Sequence, residues 1–206
     1  MSTKHDSRER LSQKRRTRTA LLHAARDLIA AGKTPSVVEV AEAAQVSTAT
    51  AYRYFPTQQA LLVEVPLDEA APTVASLFGD GAPADPEDRA ALVQNALYDL
   101  ARQHEAEFRL FLQSSVTRPL RDSRAARDPF RGARRDALLS EALAPLAGEL
   151  PPEDLERLKV ALAMLVGVES MVVLRDVMQL DHDDARAAGE WAVRQLIRAV
   201  RRHPEK

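Results

Sequence analysis

Residues 36–55, SVVEVAEAAQVSTATAYRYF, decide how the rest of the chain is read. Ser36 stands three places before Glu39, the spacing at which a hydroxyl and a carboxylate cap a helix start reciprocally. Val37, Val40, Ala41 and Ala44 then recur at helical spacing and predict the buried stripe of a short helix. Ser47, three residues after Ala44, offers a second cap. One helix therefore ends and another begins around a turn of about three residues, which is a helix-turn-helix.

The second of these helices concentrates Tyr52, Tyr54 and Phe55 in a chain whose aromatic content is only 4%. Tyr52 and Phe55 lie three apart, so both are expected on the inward side, with Ala51 completing the wall. The other side is expected to show Thr48, Ala49, Thr50, Arg53 and Tyr54. Small residues let a backbone approach another surface closely, hydroxyls donate to phosphates or base edges, and Arg53 brings a fork matched to guanine or phosphate. A tyrosine ring packs while its hydroxyl reaches outward. This is the chemistry of a recognition helix in a DNA major groove.

The flanks extend the helical pattern. Leu21, Leu22, Ala25, Leu28 and Ile29 share a face from Thr17 onward, and AAGKTPS stops that helix. Pro56 ends the recognition helix, and Thr57 caps a fourth that runs toward Leu77, with Pro66 and Pro72 expected to bend or shorten it. Asp85 and Pro86 open a fifth helix, a sixth covers about Glu105 to Val116, and Asp128 with Pro129 opens a seventh to about Leu146. An eighth runs from the PPEDL segment to about Gln179, and a ninth follows LDHDD to about Arg202. No stretch alternates as a strand does. The expected fold is all-α, about nine helices, in three parts: residues 1–16 a basic flexible arm, 17–56 a helix-turn-helix domain, and 57–206 a helical effector-binding and dimerisation domain.

Charge supports a polyanion partner. The chain carries a net charge of −1, yet residues 1–60 hold ten Lys and Arg against five Asp and Glu, so the remainder is acidic. A basic end on an acidic body suits nucleic acid. Without cysteine there is no disulfide, thiolate metal site or cysteine nucleophile. The basic amino terminus lacks the apolar core of a secretory signal. The apolar run Val160–Leu174, fifteen residues with Glu169 inside it, is short of the ~20 that cross a bilayer. The expected location is cytoplasmic.

Taken together, SVVEVAEAAQVSTATAYRYFPTQQALL resembles the amino-terminal domain of the tetracycline-repressor (TetR) family, over roughly residues 17–65. The resemblance implies DNA contacts from Thr48, Thr50, Tyr52, Arg53 and Tyr54 beyond the Ser47 cap, and a phosphate contact near Ser36. Three positions depart from the family pattern. Gln45 stands where the turn usually holds glycine, Gln58 where the fourth helix usually begins with a phosphate-gripping lysine, and Val38 where a polar or basic residue is common. With that grip weakened, Arg15, Arg16 and Arg18 are expected to carry more of the phosphate contact. Family analogy makes repression the expected outcome, on a palindromic operator, by a homodimer that a small-molecule effector releases.

One helix-turn-helix reads few base pairs, so specific binding calls for two copies about 34 Å apart. VALAMLVGVESMVVL is apolar nearly all round and, with the ninth helix, predicts a dimer interface including Val173, Leu174, Trp191, Leu196 and Val200. The fourth to seventh helices would enclose an effector pocket, lined by Phe108, Phe111, Leu112, Ser115, Met164, Val168 and Met171. Two rival functions fit the sequence less well. A nonspecific architectural DNA binder needs a basic body, and residues 61–206 are acidic. A helical metal-dependent hydrolase would use Asp181, His182, Asp183 and Asp184, but four adjacent residues do not converge on one ion, and acids at a helix start are explained by cap and dipole. No nucleotide loop or hydrolase motif appears. The expectation is a protein that is not an enzyme and takes no metal or cofactor.

Overall fold

A computed structural model describes residues 2–116 and 133–202. Their regular structure is helical, with no strand among them. They form two compact units. Residues 2–70 and 106–116 belong to the first, and 71–105 and 133–202 to the second. The division expected after Pro56 falls inside the first unit, which also recruits a helix from beyond residue 105.

The first unit opens with α1, Ser2–Ala30. The helix runs back through the stretch expected to be a flexible arm, because residues 2–30 hold no glycine or proline and are rich in strong helix formers. Leu21, Leu22 and Ala25 are its buried face, packed with Val37, Val40 and Ala41 of α2 (Val37–Ala43), with Ala51 of α3 (Thr48–Tyr54) and with Leu61 and Val65 of α4 (Gln58–Ala70). Phe55 seals this core at 1% exposure. α4 continues through Pro66 to Ala70, and α7 (Glu105–Val116) completes the unit.

Helices α1 and α2 end the same way. After α1, Gly32 takes φ 78° and its N–H reaches the Ile29 carbonyl at 2.9 Å, while Lys33 reaches back to Leu28 at 3.1 Å. After α2, Gln45 takes φ 55°, its N–H bonding Glu42 at 3.0 Å, and Val46 reaches Ala41 at 2.9 Å. These are Schellman closures, in which one left-handed residue lets the chain satisfy the last carbonyls. Glycine does this at the first end and an ordinary side chain at the second.

The second unit begins where the fourth helix, expected to run toward Leu77 with Pro66 and Pro72 bending or shortening it, stops short: the chain leaves α4 at Ala70, and Thr73 caps a separate α5, Val74–Phe78, in a capping box with Ser76. Pro72, just before that cap, disfavours helix at Ala71. α6, Pro86–Gln103, starts as expected with Asp85 as cap and Pro86 in the first turn. α8 is described over Ala133–Ala142; its expected start at Asp128 and Pro129 lies outside the described residues. A 3-10 turn, Ala144–Gly148, leads to α9, Pro152–Leu165.

The expected single eighth helix is also broken. Val166 is extended and Gly167 takes φ 103°, ψ −171°, before α10 (Val168–Val172) and a π-helical turn (Val173–Val177). Only glycine visits that backbone region freely. Arg135 fills the space a side chain would occupy: a Cβ on Gly167 would stand 2.4 Å from Arg135 Nη2. The same guanidinium donates to the Ala163 carbonyl at 3.1 Å and pairs with Glu169 at 2.6 Å, satisfying the end of α9 and the start of α10 together.

α11, His182–Arg202, packs along α6. Val193 and Ile197 enter a core with Ala90, Val93, Leu138, Leu139 and Leu162. A ladder of polar pairs borders the contact: Asp99 with Arg186 at 3.1 Å, Asn95 with Glu190 at 2.9 Å, Asp88 with Arg194 at 2.6 Å and Glu87 with Arg198 at 2.7 Å. The Asn95 amide, then Arg194, hold the Glu190 carboxyl below its ordinary value. Asp181 caps α11 by accepting from the N–H groups of Asp183 and Asp184, each at 2.9 Å. His182 meets the buried Tyr98 hydroxyl at 3.0 Å, and burial raises the tyrosine pKa. The acids of the LDHDD stretch thus serve the helix start.

Candidate nucleic-acid interface

Two capped helices present the site. At the start of α2, the Glu39 N–H donates to Ser36 Oγ at 3.2 Å, and the Ser36 N–H donates back to Glu39 Oε2 at 2.8 Å. The Ser36 backbone, then its hydroxyl, hold Glu39 below the usual carboxylate range, so it carries its charge. At the start of α3, Ser47 Oγ accepts from the Thr50 N–H at 3.3 Å and donates to Thr50 Oγ1 at 2.9 Å. That cap fixes the first turn of the helix, from which Thr48 and Ala49 stand exposed, with Thr50 half-buried.

The two tyrosines exchange their expected places. Tyr52 is 45% exposed, whereas Tyr54 is half-buried against the core of the first unit. Helix geometry alone does not choose between them, since Tyr52 and Tyr54 flank the Ala51–Phe55 line at equal angles of about 80°; the neighbouring core lies on the Tyr54 side. Arg53 is exposed, its guanidinium 5.6 Å from the Tyr54 ring centre. The outward surface of α3 is therefore Thr48, Ala49, Tyr52 and Arg53, with Tyr54 as the ring on which Arg53 rests.

Gln58 and Arg18 are not presented as phosphate grips. The Gln58 amide donates to the Pro35 carbonyl at 3.1 Å and the Thr34 carbonyl at 3.3 Å, tying the start of α4 to the loop before α2. Arg18 turns inward to Glu64 of α4. Its local sequence looked like the rest of the basic arm, but its partner lies 46 residues away. Arg15 and Arg16 are exposed on α1, with Arg16 Nη2 3.4 Å from Ser12 Oγ.

The turn between the helices carries the departure seen in sequence. Gln45 does adopt a left-handed backbone, φ 55°, at the position where the resembled family favours glycine. Its side chain is exposed and Val38 is exposed on α2.

The residues expected to line one effector pocket divide between the two units. Phe108, Phe111 and Leu112 are half-buried on α7, and Ser115 lies outside the described side chains. Phe111 lines a cavity of about 370 Å³ between α4 and α7, together with Thr57, Gln59, Ala60, Val63, Leu110 and Gln113, which the sequence reading did not single out. In the second unit Val168 and Met171 are core residues, while Met164 is 71% exposed. Met164 shares the outer face of α9 with Val160, four places before it, a spacing visible in the sequence.

The expected dimer residues also divide. Val173 and Trp191 are exposed, Trp191 at 65%, and Val177 and Met178 join them as large exposed apolar side chains. Leu174 is half-buried, and Leu196 and Val200 pack against the core of the second unit. Those two lie on the α11 face that Val193 and Ile197 bury, at helical spacing.

These features define a class: a helix-turn-helix domain of the DNA-binding type. Residues 21–65 match the model of bacterial regulatory proteins of the tetR family. The chain is similar in fold to a TetR transcriptional regulator from Rhodococcus sp. RHA1, with a TM-score of 0.50 and 23% identity over 89% of this chain and 97% of that one. No curated protein matches the chain. The match identifies residues 21–65 as a tetR-type DNA-binding domain at the amino-terminal end of the chain. No helix among the described residues is long and apolar enough to cross a membrane.

Proposed function

We propose that the chain is a cytoplasmic repressor that binds a palindromic operator as a homodimer and releases it when a small molecule binds. It does so without catalysis. The observation that carries this reading is the outward face of α3, Thr48, Ala49, Tyr52 and Arg53, set on a capped helix above a closed core. Small residues admit the backbone to the groove, Tyr52 and Arg53 reach base edges or phosphates, and Ser36, Ser47, Thr50 and the Arg53–Tyr54 pair complete the contact. Arg15 and Arg16 add phosphate contacts from α1.

The second copy docks on the exposed apolar side chains of the second unit, Val160, Met164, Val173, Val177, Met178 and Trp191. Large apolar side chains left exposed on α9, on the turn after α10 and on α11 suit an interface with a second copy. The effector occupies the cavity between α4 and α7. It acts through α4, because Gln58 at the head of that helix holds the carbonyls that precede α2. To release DNA, the effector binds more tightly to the state whose recognition helices no longer match the half-site spacing.

The test is selection of duplexes from a random pool, followed by footprinting. The expected product is an inverted repeat with half-sites about one helical turn apart, protected by the purified chain. Equal binding of selected and scrambled duplexes at fixed salt removes the reading and leaves a nonspecific binder.

A further inference from the structure

The third arginine of the basic segment has a different task from the other two. Arg18 pairs with Glu64, whose side chain is 10% exposed, and its own side chain is 22% exposed. The guanidinium carbon lies 5.7 Å from the centre of the Phe55 ring, within the reach of a cation–π attraction. Phe55 caps α3 and donates its N–H to the Ala51 carbonyl at 2.9 Å. One contact thus joins α1, α4 and the residue that caps the recognition helix. Were Arg18 to swing out to a phosphate, this part-buried ion pair with Glu64 would be broken.

We propose that Arg18 and Glu64 are positioning residues for DNA recognition: their pair, seated on Phe55, sets the angle at which α3 is presented, and neither touches DNA. The proposal rests on the helix-turn-helix reading above. Its mark is separable from that of a phosphate contact. A cation on a phosphate adds about 0.9 to the magnitude of the log–log salt slope, on any duplex. A pair that sets the angle of α3 leaves the slope alone and acts on the duplex whose bases are read.

The experiment uses the full chain, with its active concentration titrated, on its selected duplex and on a scrambled one across a salt series. Glu64→Gln keeps every cation. The expected result is a loss of about tenfold on the selected duplex and less than about twofold on the scrambled one, with the slope unchanged. Arg18→Ala is expected to repeat that pattern. If folded Arg18→Ala lowers the slope on both duplexes by about 0.9 per subunit, or about 1.8 for a bound dimer, Arg18 grips phosphate and the proposal is overturned. Should Arg18→Ala not fold, Glu64→Gln decides alone: unchanged or tighter binding of the selected duplex, or an equal loss on both, overturns it. A wild-type chain that prefers no duplex removes the DNA reading itself, an outcome distinct from either variant result.

Discussion

Replacing Gln45 by glycine is expected to stabilise the chain. Gln45 holds φ 55° in the turn between α2 and α3, and its side chain is exposed, so the change removes backbone strain and no core contact. A left-handed backbone costs an L-residue about 1–2 kcal/mol. Against this, glycine brings extra freedom to the unfolded chain, worth about 0.5–1 kcal/mol. The net gain is about 0.5–1 kcal/mol, which for about 200 residues raises Tm by about 1–4 °C. Gln45→Ala keeps the Cβ and is expected to gain nothing. Thermal unfolding followed by circular dichroism compares the three. The turn hydrogen bonds from Gln45 and Val46 are backbone bonds and survive the change, so operator affinity should hold. A lower Tm for Gln45→Gly, or an equal gain for Gln45→Ala, refutes the argument that this turn is strained.

Other perturbations test the remaining parts. Ser47→Ala removes the cap of α3 and should cost about 1 kcal/mol, read as weaker operator binding with the dimer intact. Gly167→Ala forces a Cβ toward Arg135 at a φ of 103° and should lower the denaturant midpoint by the equivalent of about 2–3 kcal/mol. Trp191→Asp with Val177→Asp places charge on the proposed docking surface and should give a monomer by light scattering, with operator affinity lost. Glu190 is held below its ordinary 4.5 in the folded state, so its contribution is present above that value and disappears as pH falls through the depressed one. Glu190→Gln should therefore flatten the acid limb of the stability curve, measured by urea midpoints.

What the sequence made legible was what short-range chemistry determines. Ser36 with Glu39, Ser47, and Asp85 with Pro86 announce helix starts through partners within a turn, and the structure places helices there. Gln45 was legible as an awkward residue because its cost belongs to its own backbone. Tyr52 and Tyr54 were misplaced because they flank the Ala51–Phe55 line at equal angles, and which flank meets the core depends on the packing of other helices rather than on spacing within α3. Arg18 was misread for a different reason: nothing within reach of its local sequence points to a carboxylate on α4. The break at Gly167 was hidden inside an apolar run, where hydropathy carries no record of φ. The cavity beside Phe111 depends on how α4 meets α7, and no spacing along either helix encodes that.

The continuity of α1 has a mechanical consequence. At about 1.5 Å per residue, the helical stretch preceding Arg18 projects roughly 24 Å, and its inner end is gripped by Leu21, Leu22 and Ala25. Such a rod is a lever with its fulcrum in the core. A tilt of a few degrees at the gripped end sweeps the far tip through about 2 Å, more than the tolerance of a hydrogen bond. The position of the amino-terminal cations is then governed from inside the domain, so a side chain beneath the fulcrum governs their reach as surely as the cations themselves.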